Sequence, residues 1–172
     1  MKKILLTLLL FSSIFAQANR ILTLAPTAQA SSIGNVTLPM MNPARNLFDK
    51  DHFSFSRVNW MTNIVNDMSY NFINVDRGPY GINIMFFNYG EQNLTNESGI
   101  IESQFTPLSA VYGFSYARKV SKYNLGLDVK LITHDLHTQK ATGLVLGVGG
   151  YFPKIYKDLD LDVMVRNFGF AP

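Results

Sequence analysis

The sequence predicts an all-β fold, an antiparallel up-and-down β-barrel of the outer-membrane type with an N-terminal hatch-like segment. Three observations predict it. From about position 52 onward, apolar and polar residues alternate with the period of a strand that has one apolar face. The alternating runs are longer than ordinary strands of about five or six residues. The connections alternate between short basic turns and longer polar links. Together these patterns predict about seven strands.

The first 18 residues have the form of a secretory signal peptide. Two lysines precede an apolar run at residues 4–10, and Ala16-Gln17-Ala18 provides the small residues of a signal-peptidase site. A membrane anchor is the alternative, but it needs about 20 apolar residues, and two serines interrupt this run. The mature chain is therefore predicted to start at Asn19.

The charge balance argues against nucleic-acid binding. Removing residues 1–18 takes two lysines from the 15 Lys and Arg, which leaves 13 against 12 Asp and Glu. A nucleic-acid partner would require a basic face. The chain has no cysteine, which excludes disulfides and thiolate metal sites.

Residues 19–51 show no sustained alternation. Prolines at 26, 39 and 43 interrupt them, and Gly34-Asn35 predicts a turn. Such a segment is either a disordered linker or a plug packed in a lumen, and its apolar content favours packing. The motif Asn42-Pro43-Ala44 either fixes this hatch-like segment or lines a substrate path, or it is a simple turn in which Asn caps and Pro fixes φ.

Residues 52–172 contain the predicted transmembrane strands. In the first, Phe53 and Phe55 have one parity and Val58 and Trp60 the other, which indicates a bulge or a slip of phase. Residues 90–104 predict a mobile loop, and residues 134–140 predict another. The alternating runs between these links centre on residues 68–72, 80–86, 108–117, 123–131, 144–152 and 159–165.

The clearest pattern lies at residues 108–131, where two strands flank a basic turn. Runs of nine or ten residues, tilted by roughly 45°, climb about 22 Å, close to the apolar band of about 25 Å in membrane barrels. The residues that alternate with the apolar ones are polar or charged, and we expect them to be in contact with water. They predict four lumen-facing positions: Asp128, Lys130, Asp160 and Asp162.

The two classes of connection distinguish a membrane barrel from a soluble sandwich. Short basic links near Gly78, Val120 and Ile155 alternate with mostly longer, more polar links, as in outer-membrane barrels. Sandwiches more often mix loop lengths through Greek-key crossings. Four tyrosines also lie near the short turns, where an interfacial aromatic girdle would be: Tyr80, Tyr116, Tyr123 and Tyr151.

The sequence resembles the PorV/PorQ family of outer-membrane proteins, relatives of FadL-type fatty-acid transporters, with the PorQ branch nearer. The resemblance rests on small residues at 30–34 before Asn42-Pro43-Ala44, on residues 112–119 leading into 125–130, and on 87–90 and 165–169. It covers nearly the whole mature chain. It implies a barrel of about fourteen strands, a hatch containing the Asn-Pro-Ala motif, and a role in type IX protein secretion.

The chain departs from this family by ending at Pro172, after about half the expected strands. Seven strands in lipid would leave two open edges, and unpaired backbone groups at several kcal/mol each would total roughly tens of kcal/mol. We therefore expect either a longer protein or a chain that pairs its edges with another copy.

Candidate chemical sites are weak. His134 and His137, with Asp135 between them, suggest a metal site, but on a strand or loop this spacing does not bring two imidazoles together, so solvated loop histidines are the better interpretation. Three aspartates at 158, 160 and 162 lack the glycine and distal glutamate of a calcium loop. Four glycines at 143, 147, 149 and 150 fit a tightly curved strand better than a phosphate cradle. No nucleophile, base and orienting group occur together.

The sequence therefore predicts no enzyme, no cofactor and no metal. The first hypothesis is a component of the outer membrane of a Gram-negative-type bacterium that contacts lipid, secretion-system proteins and exported cargo. The second is a FadL-like channel for hydrophobic small molecules, marked by an apolar pocket under the hatch. The third is a soluble periplasmic β protein.

Overall fold

A computed structural model describes residues 20–24, 26–32, 41–48, 51–60, 67–137 and 139–170. The predicted signal peptide (1–18), the turn at Gly34-Asn35 and the link near Thr62 lie outside the described residues, as does Pro172. Among the residues described, no helix is both long and apolar enough to cross a membrane.

The described chain begins with short helical elements and continues in strands, so that the all-β class is confirmed. The helical elements are the 3-10 helix η1 (Arg20–Thr23), the helix α1 (Ala28–Ser32) and the 3-10 helix η2 (Pro43–Leu47). The strands are β1 (His52–Asn59), β2 (Ser69–Arg77), β3 (Tyr80–Asn88), β4 (Gln92–Thr95), β5 (Ile101–Phe105), β6 (Leu108–Val120), β7 (Tyr123–Leu136), β8 (Gln139–Tyr156) and β9 (Leu159–Phe170).

Seven strands form one antiparallel sheet in the order β1-β2-β3-β6-β7-β8-β9, while β4 and β5 pair only with each other. Neighbours in the sheet are therefore neighbours along the chain, apart from the inserted hairpin. Two-residue turns at 78–79, 121–122 and 157–158 join three strand pairs at one end, which we call the short-turn end. Gly78, Ser121 and Lys157 have positive φ of 56°, 58° and 53° there, as tight hairpin turns require.

Three predictions about the links and the register are wrong. The stretch 90–104 contains the β4–β5 hairpin, whose turn forms because Asn96 Oδ1 accepts hydrogen bonds of 3.0 Å from the amides of Ser98 and Ile100. The stretch 134–140 is mostly strand, since β7 and β8 stay paired up to Leu136 and Gln139. The polar side chains of this stretch gave no signal of strand pairing. Asp135 of β7 and Lys140 of β8 nevertheless form an ion pair of 2.9 Å across the paired strands.

The third wrong prediction concerns β1. Its register with β2 is unbroken from His52 opposite Asp76 to Asn59 opposite Ser69, so there is no bulge. Val58 faces the side opposite Phe53 because side chains alternate along a regular strand, and it lies directly across from Tyr70. Irregular register occurs between β8 and β9, at Leu146/Val148 and at Phe152/Tyr156.

The two faces of the sheet differ sharply. Residues directly opposite each other across strands share a face, so that a row can be followed through all seven strands. One such row is entirely apolar, and its side chains are exposed except for the half-buried Val129. It consists of Phe53, Val75, Ile82, Phe114, Val129, Leu146 and Phe168. We call this side the apolar face.

The other side, which we call the covered face, carries the N-terminal helical elements. Its neighbouring row is mostly polar or small: Ser54, Asn74, Asn83, Gly113, Lys130, Val145 and Gly169. Ile21 and Leu22 of η1 cover an apolar cluster on this face, which contains Tyr70, Phe72, Met85, Val111, Ile132 and Val145. The buried core therefore lies under the N-terminal segment.

Candidate functional site

The candidate site is the contact between η2 and the covered face. Asn42 caps this 3-10 helix, because its Oδ1 accepts a hydrogen bond of 3.0 Å from the amide of Ala44. Pro43 follows at the first helical position, where a missing N–H costs nothing. Both Asn42 and Ala44 are buried. The Asn-Pro-Ala motif therefore makes a capped turn that is also packed against the sheet.

Two glycines make room for this turn. Gly126 of β7 lies directly opposite Gly149 of β8. A Cβ atom at Gly126 would overlap backbone atoms of Pro43 and Ala44, and one at Gly149 would overlap the Asn42 side chain. The absence of side chains lets the turn approach the strand backbone closely. The sequence pattern suggested strand curvature for Gly149, whereas the contact with the Asn42 side chain supplies a different reason.

Asp162 of β9 holds the turn electrostatically. Its Oδ1 accepts hydrogen bonds from Asn42 Nδ2 at 3.1 Å and from Arg45 Nε at 3.2 Å, and its Oδ2 pairs with Arg45 Nη2. The hydrogen bond to Asp162 raises the pKa of the Arg45 guanidinium above its ordinary value. The guanidinium also lies 5.4 Å from the ring centre of Phe48 and 5.1 Å from that of Tyr151. Of the predicted lumen-facing residues, Asp162 is thus the one that meets the Asn-Pro-Ala motif.

Asp160 has a different partner from Asp162. Its carboxylate accepts hydrogen bonds from the Tyr151 hydroxyl and, at 2.9 Å, from the amide of Lys154. It therefore supports Tyr151, whose ring contacts Phe48 edge-on with 4.4 Å between ring centres.

Asp128 and Lys130 of β7 form a second charged pair on the covered face. Asp128 Oδ2 and Lys130 Nζ are 2.5 Å apart, and the two residues are only 4% and 6% exposed. The carboxylate fits because its neighbour in the register, Gly147, has no side chain for it to meet. Neither carboxylate oxygen has a well-aligned hydrogen bond within the described part of the chain. The charges therefore balance while the hydrogen bonds of Asp128 stay incomplete, which makes the pair costly to bury.

The histidines do not come together. His134 lies in β7 rather than in a loop, and its Nδ1 is 2.5 Å from Ser109 Oγ. His137 stacks on Phe105 with 4.7 Å between ring centres. No cluster of three or more His, Cys, Asp or Glu that could hold a metal occurs in the residues that the structure describes.

Sequence reasoning missed Arg45 and Asn46. Asn46 Nδ2 donates a hydrogen bond of 2.8 Å to Ser115 Oγ on β6, so the turn is held by both of its polar side chains. A signal was present for Arg45, since no other charged residue occurs between Arg20 and Asp49. A lone charge in a segment expected to pack requires a counter-ion.

Comparison with known protein families gives no match for this chain. Comparison with curated proteins gives none either.

We expect Asp162→Asn to loosen the N-terminal turn. The amide keeps the shape of the carboxylate but loses the charged hydrogen bonds to Arg45, which contribute about 1–2 kcal/mol at a partly exposed site. Hydrogen–deuterium exchange of residues 43–48 should become faster by roughly tenfold, the equivalent of about 1.4 kcal/mol. Asp51→Asn is the control, because the Asp51–Arg77 pair is 3.7 Å long and highly exposed. Equal exchange in both variants would show that Asp162 does not hold the turn.

Proposed function

We propose that this chain is an outer-membrane β-barrel component of the PorV/PorQ kind that serves protein export by binding cargo or presenting it at the cell surface, without catalysing a reaction. The observation that carries the membrane location is the apolar row across all seven strands, which stays exposed on the sheet. Soluble monomers rarely expose contiguous apolar patches larger than a few hundred Å². Lipid is the solvent that such a face requires.

The covered face supports the same location. Its charged pairs, Asp128 with Lys130 and Arg45 with Asp162, lie on the side of the sheet away from the apolar row. A soluble sandwich would bury the apolar side chains between its sheets and turn the charges outward. The arrangement here is the reverse, which is the pattern of a barrel with lipid outside and polar groups inside.

The edge strands β1 and β9 set a condition on this proposal. Backbone groups on a sheet edge in lipid must be paired, since each unpaired group costs roughly several kcal/mol. Either additional strands of a longer chain or a second copy of this one supplies the partners. Native mass spectrometry of the detergent-extracted protein should give a mass above one copy of residues 19–172. A folded particle with the mass of a single copy would contradict the pairing of these edges.

The surface under η2 favours a role in export over a channel for hydrophobic small molecules. A FadL-like channel would have an apolar pocket there, whereas the turn rests on Gly126 and Gly149 and on the polar side chains of Ser115 and Asp162. The apolar cluster farther along the face is filled by η1. These contacts support a turn that binds a polar surface.

The test is deletion of the gene, followed by comparison of the secreted proteins and of long-chain fatty-acid uptake. We expect the set of secreted proteins to shrink and to be restored by the wild-type gene, while fatty-acid uptake stays unchanged throughout. An unchanged secretome with impaired uptake would replace export with transport. Recovery of the protein in a detergent-free wash fraction would contradict the membrane location itself.

A further inference from the structure

An apolar groove interrupts the apolar face near the short-turn end, where β7, β8 and β9 meet. Its volume is about 460 Å³, within the range of small-molecule sites. Gly150 lies at its centre, opposite Leu125 on one side and Val163 on the other. Val148 and Leu161 line its walls, and the ring of Phe152 lies over Gly150, where a Cβ atom would meet it. The break in register between Phe152 and Tyr156 accompanies this opening between β8 and β9.

Cations lie above the end of this groove. Lys122 Nζ is 5.4 Å from the ring centre of Tyr123, and that ring is 5.2 Å from the ring of Phe152 in the groove wall. On the other side, Lys157 Nζ is 5.5 Å from the ring centre of Tyr156. The two ammonium groups are therefore anchored on aromatic rings in the geometry of cation–π pairs. The Tyr123 ring contacts the groove at Phe152, and Tyr156 follows Ile155, which lines the groove.

Acidic groups near this end do not cancel the positive charge. Asp160 is engaged by the Tyr151 hydroxyl and the Lys154 amide, and Asp158 is the other acid on the β8–β9 turn. Three lysines lie near Asp158: Lys157 on the same turn, Lys154 near the end of β8, and Lys122 on the neighbouring β6–β7 turn. The rim of the groove is thus basic, whereas its walls are hydrocarbon.

We propose that this groove binds one phospholipid with an anionic headgroup. An acyl chain lies against the apolar side chains of the groove, and the headgroup phosphate meets the ammonium groups of Lys122 and Lys157. The inference rests on the proposed membrane location, because it requires the apolar face to lie in lipid. Charge complementarity identifies the occupant, since a purely apolar partner would gain nothing from cations at one end of the groove. Tyrosines beside the lysines suit the depth at which headgroups begin.

The test uses the whole mature protein reconstituted in phosphatidylcholine vesicles, with spin-labelled phosphatidylglycerol or phosphatidylcholine added as the probe. We expect the protein to bind phosphatidylglycerol roughly 25-fold more tightly than phosphatidylcholine, because two lysines contribute. Each lysine contributes roughly fivefold, the equivalent of about 1 kcal/mol. Lys122→Gln with Lys157→Gln should therefore bring the ratio of the two binding constants close to one.

Two further variants locate the effect. Lys140→Gln is the charge control, because Lys140 lies at the opposite end of β8 with a side chain that is 75% exposed, and we expect it to leave the ratio unchanged. Gly150→Leu fills the groove while keeping every charge, and it should also abolish the preference. Circular dichroism checks that each variant is folded.

The outcomes separate the groove from the membrane location. If the protein inserts into phosphatidylcholine vesicles but binds both probes equally, the groove proposal is overturned and the membrane location stands. An equal loss of preference in the Lys140 variant and in the rim variants would also overturn it, because diffuse surface charge would then explain the binding. A protein that stays in the aqueous phase would overturn both proposals.

Discussion

Phe114→Arg is expected to lower the free energy of unfolding in lipid by about 2–4 kcal/mol, the cost of an arginine on the lipid face of a barrel near the bilayer midplane. Phe114 is the middle residue of β6 and lies in the apolar row of the sheet. In water the same substitution at an exposed position would change stability by less than about 0.5 kcal/mol. The size of the effect therefore reports what surrounds the apolar face.

Val120→Arg is the matched control for this prediction. Val120 ends the same strand and is 47% exposed, against 48% for Phe114, so that solvent accessibility alone cannot distinguish the two positions. The two positions are six residues apart, or about 20 Å along the strand, which places Val120 near the headgroups. We expect a cost of about 0–1 kcal/mol there. Urea unfolding in lipid vesicles provides the measurement, and equal costs at both positions would contradict burial of the apolar face in lipid.

Gly126→Ala is expected to displace η2 and to destabilise the protein by about 3 kcal/mol, the upper end of the usual cost of overpacking. The new methyl group would meet backbone atoms of Pro43 and Ala44, which cannot rotate away as a side chain can. Release of the turn should expose the bond after Arg45 to trypsin. The rate of cleavage there, followed by mass spectrometry, measures the displacement alongside thermal unfolding.

Gly147→Ala is the control for the glycine prediction. It adds the same methyl group to the covered face, but that group meets the carboxylate of Asp128, the end of a side chain that can move. We expect a smaller loss of stability and no faster cleavage after Arg45. If both alanine variants release the turn to the same extent, close approach of η2 at Gly126 is not what holds it.

The strands and their two faces could be predicted from the sequence because each depends on local geometry. Side chains alternate across a strand whatever lies elsewhere in the chain, so the pattern at residues 108–131 identified both β6 and β7. The same rule predicts that Asp128 and Lys130 share the face away from Phe114, but they are only 4% and 6% exposed there rather than in contact with water. Their ion pair follows from that assignment, since residues two apart in a strand are neighbours on one face.

The contacts of the N-terminal turn could not be predicted in the same way. Arg45 and Asp162 are 117 positions apart, and no periodicity in either segment identifies the other. The role of Gly126 likewise depends on what packs against it. The pattern at residues 53–60 indicated a bulge because Trp60 has the opposite parity to Phe53 and Phe55. Trp60 follows the end of β1 and packs against Phe87 on the covered face, with 5.6 Å between ring centres. Tertiary packing decides such positions.

Quenching of tryptophan fluorescence by brominated phosphatidylcholine tests most directly whether the apolar face lies in the membrane, as we propose. Trp60, the single tryptophan, packs against Phe87 on the covered face. Moving the indole by Trp60→Phe combined with Phe114→Trp places it in the apolar row. The account predicts strong quenching of the tryptophan at position 114 and weak quenching of Trp60 in the wild type. Quenching no stronger at position 114 than at Trp60 would contradict it.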